Sequence, residues 1–149
     1  MDALSLLTAD HNRVRGLFAR FQSAEEEKDT ETMMELAAKI IVELEVHTTI
    51  EEEIFYPAYH QAARKKEDKK LFFEAVQEHH VVDLVMPEMN DGSSPEELKA
   101  RAKVLKDLVE HHADEEEKEM FPRARKVMDR EELRSLGEML LRRKEDLMA

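Results

Sequence analysis

The 149-residue chain contains no cysteine and no tryptophan, only three glycines and four prolines, and just 5% aromatic residues. Without cysteine there is neither a disulfide nor a thiolate ligand, so any metal must be held by imidazole and carboxylate. No glycine loop suited to a phosphate, no nucleophile with its base and no organic-substrate pocket is legible. No apolar run approaches the length of a membrane span, and the start, Met1-Asp2-Ala3-Leu4, lacks a basic segment followed by an apolar one. A soluble, cytoplasmic protein is the expectation. Positive charge is also in deficit: 23 Lys and Arg face 35 Asp and Glu, a formal net charge of −12. Such a surface repels phosphate, which argues against nucleic acid and anionic membrane as partners, and it mildly accumulates cations.

Helix formers fill the space these absences leave. Charged residues make up 39% of the chain, and Leu, Met, Ala, Glu, Lys and Arg recur at helical spacing, which predicts an all-α fold in one domain with a real core. Leu7, His11, Val14, Phe18 and Phe21 mark one stripe of a helix over roughly residues 3–23. Met33, Ala37, Ile40, Leu44, His47, Glu51, Ile54 and Ala58 keep the same rhythm without a break, predicting a second helix over roughly 30–64. A looser third stripe runs Phe72, Val76, His79, Asp83 and Met86, and Pro87 kinks or ends that helix. Asn90-Asp91-Gly92-Ser93 reads as a turn, and Ser94-Pro95-Glu96-Glu97 as a capped helix start. Leu98, Ala102, Leu105, Val109, His112, Glu116 and Met120 form the fourth seam. Asp129 and Glu132 then open a short fifth helix carrying Leu133, Leu136, Leu140 and Leu147.

The two halves repeat each other. Asp10-His11 aligns with Glu78-His79, and His47 to Pro57 aligns without a gap with His112 to Pro122. Each helix of the first four therefore carries one element of the series His, His-x-x-x-Glu, His, His-x-x-x-Glu. The expected architecture is an up-down-up-down four-helix bundle over residues 1–128, with an additional C-terminal helix over 129–149 packed on the bundle or at a subunit interface.

Imidazole and carboxylate four residues apart stand on one helix face, roughly 6 Å apart along the axis. Spacing alone is weak, since His47, His79, His111 and His112 all have an acid four residues on. Position is stronger. Four His and two Glu replace apolar residues on otherwise apolar seams, where burying them unpaired costs several kcal/mol. A single buried His is commonly bonded to a carbonyl or carboxylate. Six polar residues on four seams need a common partner. His60, His80 and His111 stand about 100° off the seams and read as exposed or supporting. Glu52, Glu53, Glu115 and Glu117 read as a solvated face, with Glu115 an alternative donor should His111 rather than His112 face inward. For Tyr56 and Tyr59, packing outweighs a role at the metals.

The paired His-x-x-x-Glu-Glu with its downstream proline resembles the hemerythrin-like, or HHE cation-binding, family over roughly residues 5–127. The resemblance implies a four-helix bundle with a non-haem diiron centre and His11, His47, Glu51, His79, His112 and Glu116 as ligands. In such a centre Glu51 and Glu116 can each span two metals while two His cap each ion, and an oxo, hydroxo or water bridge leaves each ion one open position. Oxygen-carrying members of the family look like five-His proteins, and here the fifth position is Asp83. As a ligand Asp83 closes one ion and favours its ferric state; as a solvated or supporting carboxylate it leaves both open. Either way reversible oxygen carriage is disfavoured. Three functions remain, two of them built on iron: a diiron protein that binds or turns over dioxygen, peroxide or nitric oxide in oxidative or nitrosative stress, with peroxidase-, catalase- or NO-related activity, or a non-enzymatic module that stores, delivers or senses iron. A metal-free interaction protein using the C-terminal helix is the third. Manganese or zinc also suit the donor set, and monomer and homodimer are both compatible with it.

Overall fold

Nearly every position of the chain is helical in the computed structural model, which describes residues 1–92 and 94–149 and has no strand among them. Asp2 caps α1 (Ala3–Glu26) by accepting the Ser5 N–H at 2.8 Å, and Asp29 caps α2 (Thr30–Ile50) through Thr32. The long α4 (Lys66–Val85) starts with Glu67 and Asp68 in its first turn, where acids complement the helix dipole. It runs into a 3₁₀ turn, Met86–Asn90, at Pro87. Gly92 takes a positive φ of 75° in the turn that follows, while Ser93 of the expected turn lies outside the described residues. Ser94 and Glu97 form a reciprocal capping box on α5 (Pro95–Glu115), and Asp129 accepts the Glu132 N–H to open α7 (Arg130–Met148).

The unbroken rhythm of the second and fourth helices conceals an interruption. Each contains a five-residue π turn, Glu51–Phe55 and Glu116–Met120, before continuing as α3 (Tyr56–Ala62) and α6 (Phe121–Val127). The prolines explain this. Pro57 and Pro122 have no N–H for the helical ladder and their rings crowd the carbonyl four residues back. Widening the turn lets the preceding residue, Tyr56 or Phe121, donate its N–H to the carbonyl five back, that of Glu51 or Glu116. In the wider turn the residue five after each glutamate returns to the glutamate's own face.

α1 packs on α2, α5 and α7; α4 packs on α3 and α5; and α6 meets α3. Two apolar clusters result. One gathers Val14, Phe18, Phe21, Ile40, Leu44, Val82 and Leu105, and the other Leu4, Leu7, Ile50, Phe55, Tyr59, Phe121 and Leu140. Each large apolar side chain so buried contributes on the order of 1.5–3 kcal/mol. Between the clusters lie the buried histidines and glutamates. The buried face of α4 differs from the expected stripe: it runs Ala75, His79, Val82 and Met86, which turns Val76 and Asp83 outward. No helix of the described residues is long and apolar enough to cross a membrane.

Candidate metal centre

α1 supplies His11, α2 His47, α4 His79 and α5 His112, while the two π turns supply Glu51 and Glu116; all six are buried. They fall into two overlapping groups of four. His11, His47, Glu51 and Glu116 each offer a ligand atom within 4.8 Å of the others, and Glu51, His79, His112 and Glu116 do the same. The two carboxylates belong to both groups. Glu51 Oε1 lies 3.1 Å from His47 Nε2 and 3.0 Å from His79 Nε2. Glu116 lies 2.9 Å from His11 Nε2 through one oxygen and 3.4 Å from His112 Nε2 through the other.

Every ring turns Nε2 inward because a second carboxylate holds its Nδ1. Glu117 takes His11 at 2.7 Å, Asp10 takes His47 at 3.0 Å, Glu52 takes His79 at 3.0 Å and Glu78 takes His112 at 2.7 Å. Such partners fix the tautomer and orientation of a metal-binding imidazole. Their positions in sequence are regular: Asp10 and Glu78 directly precede a seam histidine, and Glu52 and Glu117 directly follow a seam glutamate. The solvated-face reading of Glu52 and Glu117 missed this. The signal available was the Asp/Glu-His and Glu-Glu pairs repeated in both halves, one step round the helix from the seam and toward a neighbour.

Tyr56 breaks the two-fold pattern. Returned to the inner face by the π turn, its hydroxyl donates to Glu116 at 2.6 Å and stands 3.0 Å from His79 Nε2 and 3.1 Å from His112 Nε2. Its counterpart Phe121 has no hydroxyl and stacks parallel to His11 at 6.0 Å. Packing was the expected use of Tyr56; the geometry makes it a polar member of the second group. Tyr59 instead donates to the Asp68 carbonyl, away from the centre. Asp83 is exposed and outside both groups. His60 is exposed and stacks on Phe72 at 4.2 Å, His80 is exposed, and exposed His111 lies near Glu78 and Glu115.

Charge at the centre is balanced by protons where a cation would otherwise sit. Burial would depress the His47 imidazolium, but the Glu51 charge and the Asp10 hydrogen bond outweigh it and raise its pKa to about 10. His79 and His112 are raised in the same way, burial opposing and the surrounding carboxylates prevailing. Glu51 is held well below the usual carboxylate range despite its burial, chiefly by His47. Burial and the charges of Glu116 and Glu51 push Tyr56 well above its ordinary value, so its hydroxyl is neutral and donates. Two buried atoms still lack a hydrogen bond among the described residues, His47 Nε2 and Glu51 Oε2, both within the first group. Uncompensated buried polar atoms of this kind are costly. Nitrogen and oxygen donors, inward lone pairs and two shared carboxylates all fit a pair of metal ions.

The sequence profile described as the hemerythrin HHE cation binding domain matches residues 2–124. The chain belongs to the hemerythrin HHE cation-binding family. The buried His and Glu groups, which could hold a cation, lie within the matched span, and α7 lies beyond it. The chain is 26% identical over 132 residues to a protein of Nostoc sp. described as a DNA nickase, covering 89% of this chain and 36% of that protein's length. It is also 26% identical over 148 residues to uncharacterized proteins of Mycobacterium tuberculosis and Mycobacterium bovis, covering 99% of this chain and 88% of each. No solved structure matches the chain.

Proposed function

We propose that this hemerythrin-family chain is a non-haem diiron protein that binds or reacts with a small oxidant, dioxygen, peroxide or nitric oxide, in oxidative or nitrosative stress. Residues 1–128 are the bundle domain, its four helices running up-down-up-down, and residues 129–149 are a helix that covers it. His11 and His47 would hold one ion and His79 and His112 the other, Glu51 and Glu116 would serve both, and an oxo, hydroxo or water bridge would complete the pair. The observation that carries this reading is the pair of buried four-donor groups with two carboxylates in common. A lone ion needs no such sharing.

Bound iron supplies one-electron chemistry toward the oxidant; the protein's own residues determine what reaches it. A cavity of about 20 Å³ adjoins the rings of His11, His47, His79 and His112; its remaining lining is mostly apolar, Val14, Leu44, Val82, Val109 and Ala113, with Asp10 and Thr48 beside them. That volume admits about one molecule the size of water. A space of that order suits a very small ligand and is too small for an organic substrate. The apolar wall excludes bulk water, while Glu117, Asp10, Glu52 and Glu78 keep the rings aimed inward. Tyr56 places a phenol hydroxyl beside the second ion position only, where it can hold a proton or add an oxygen donor.

The test is to load the protein with iron and record optical spectra on adding dioxygen, hydrogen peroxide and nitric oxide separately. The reading predicts a spectral change with at least one of them at retained iron content. Stably bound iron that responds to none would move the function to storage, delivery or sensing of iron.

A further inference from the structure

Pairwise repetition makes the two ion positions look equivalent, yet the four carboxylates that aim the histidines are not equally charged. On the His11 and His47 side each is buttressed by a cation. Glu117 accepts Arg15 at 2.8 Å, and Asp10 accepts both Arg13 at 3.0 Å and the ammonium of Lys144. On the other side Glu52 and Glu78 take no hydrogen bond from Lys or Arg among the described residues. Glu78 is faced by His111 and by Glu115, a second carboxylate.

Lys144 comes from α7, outside the span shared with the family. Its side chain is 16% exposed and Asp10 is 2% exposed, so the contact is made inside the fold. α7 is set to deliver it. Leu133 and Leu140 are buried, Gly137 lies so close to the Met1–Ala3 backbone that an added Cβ would stand 2.4 Å from the Met1 carbonyl oxygen, and Arg143 forks onto Glu53 of the first π turn at 2.8 and 3.2 Å. The C-terminal helix thus grips the π turn that carries Glu51 and the carboxylate that aims His47.

We propose that Lys144 is a positioning residue of the metal centre, acting through Asp10 to hold the His47 ring in its ligating orientation. A carboxylate bonded to Nδ1 fixes the tautomer and orientation of a metal-binding imidazole. Asp10, anchored by the ammonium of an α7 lysine, is itself held in place to do so. The His11–His47 position therefore depends on α7 for its geometry. The His79–His112 position, aimed by Glu52 and Glu78, does not. α7 completes one half of a centre whose other half is complete within the family domain.

This inference rests on the diiron reading, and the experiment separates the two. Wild-type, Lys144→Met, Lys144→Arg and Arg134→Met proteins are matched for helix content, loaded anaerobically with ferrous iron, and challenged with an iron chelator while release is followed. Lys144→Met is expected to release one of its two irons on the order of 10–100-fold faster than wild type, the affinity loss typical of losing an outer contact to a ligand. Lys144→Arg restores slow release, and Arg134→Met, which removes an exposed α7 ion pair with Glu131, releases iron as wild type does. Lys144→Gln replaces Lys144→Met if the latter does not fold. Wild-type rates in Lys144→Met, or equal acceleration in Arg134→Met, overturn the role of Lys144 alone. A wild-type protein that takes up no iron overturns the diiron reading and this inference with it.

Discussion

Each imidazole of the centre gives one nitrogen to a supporting carboxylate and turns the other toward a shared one, so metal and proton compete for the same inward atoms. That competition fixes how the iron-free protein responds to pH. His47 has its pKa raised from 6.5 to about 10 in the fold, so its contribution to stability is complete below about 6.5 and is lost as pH rises toward 10. Asp10 has its pKa lowered from 3.8 to about 2, so its contribution is present above 3.8 and is lost as pH falls toward 2. Urea midpoints of iron-free protein are expected to fall on either side of the interval between those values. Iron loading displaces the imidazole protons and flattens the alkaline decline, and a midpoint that climbs from pH 7 to 9 without iron would contradict the protonated centre. At this scale the six buried His and Glu that the fold gathers could be picked out in the sequence because each interrupts an apolar seam. Asp10, Glu52, Glu78 and Glu117 could not, because one step off a seam an acid looks the same whether it meets water or a neighbouring helix's histidine.

Among the elements, the π turns are the departure with most consequence. Hydrophobic rhythm carries through Glu51–Phe55 and Glu116–Met120 almost undisturbed, so periodicity showed one helix where the backbone widens. Pro57 and Pro122 were the local sign, and their effect is to bring Tyr56 back over Glu51. A similar shift of one position on α4 puts Val82 inside and Asp83 outside, which takes the fifth-position carboxylate away from the centre. The ambiguity arose because apolar residues flank both faces there. Two glycines test how the elements meet. Gly16, on α1, has nothing within 4 Å of an added Cβ, so Gly16→Ala is expected to stabilise the fold by roughly 0.5–1 kcal/mol. At Gly137 the same methyl would meet the Met1–Ala3 backbone at 2.4 to 2.9 Å, and Gly137→Ala is expected to cost about 1–3 kcal/mol. Thermal midpoints moving in opposite directions check both; a neutral Gly137→Ala would mean that α7 is not held against the N-terminus.

On the scale of the whole molecule, a repeated half-bundle brings its two copies of His and His-x-x-x-Glu together, and the unrepeated parts, Tyr56 against Phe121 and α7 on one side only, make the result asymmetric. The repeat and the all-helical class were plain in the sequence, since both depend on patterns that recur over many residues. Where α7 would dock was not, because nothing in its own periodicity names the face that receives it. Ligand that binds only the folded state stabilises it, so the iron-loaded protein should melt well above the iron-free one. The central claim is that two ion positions share Glu51 and Glu116, and iron per chain measures it most directly. After loading and extensive dialysis the wild-type protein should retain one iron for each of the two donor groups, and Glu51→Ala should retain neither stably. Retention of a single iron by wild type, or a full complement in Glu51→Ala, would contradict it.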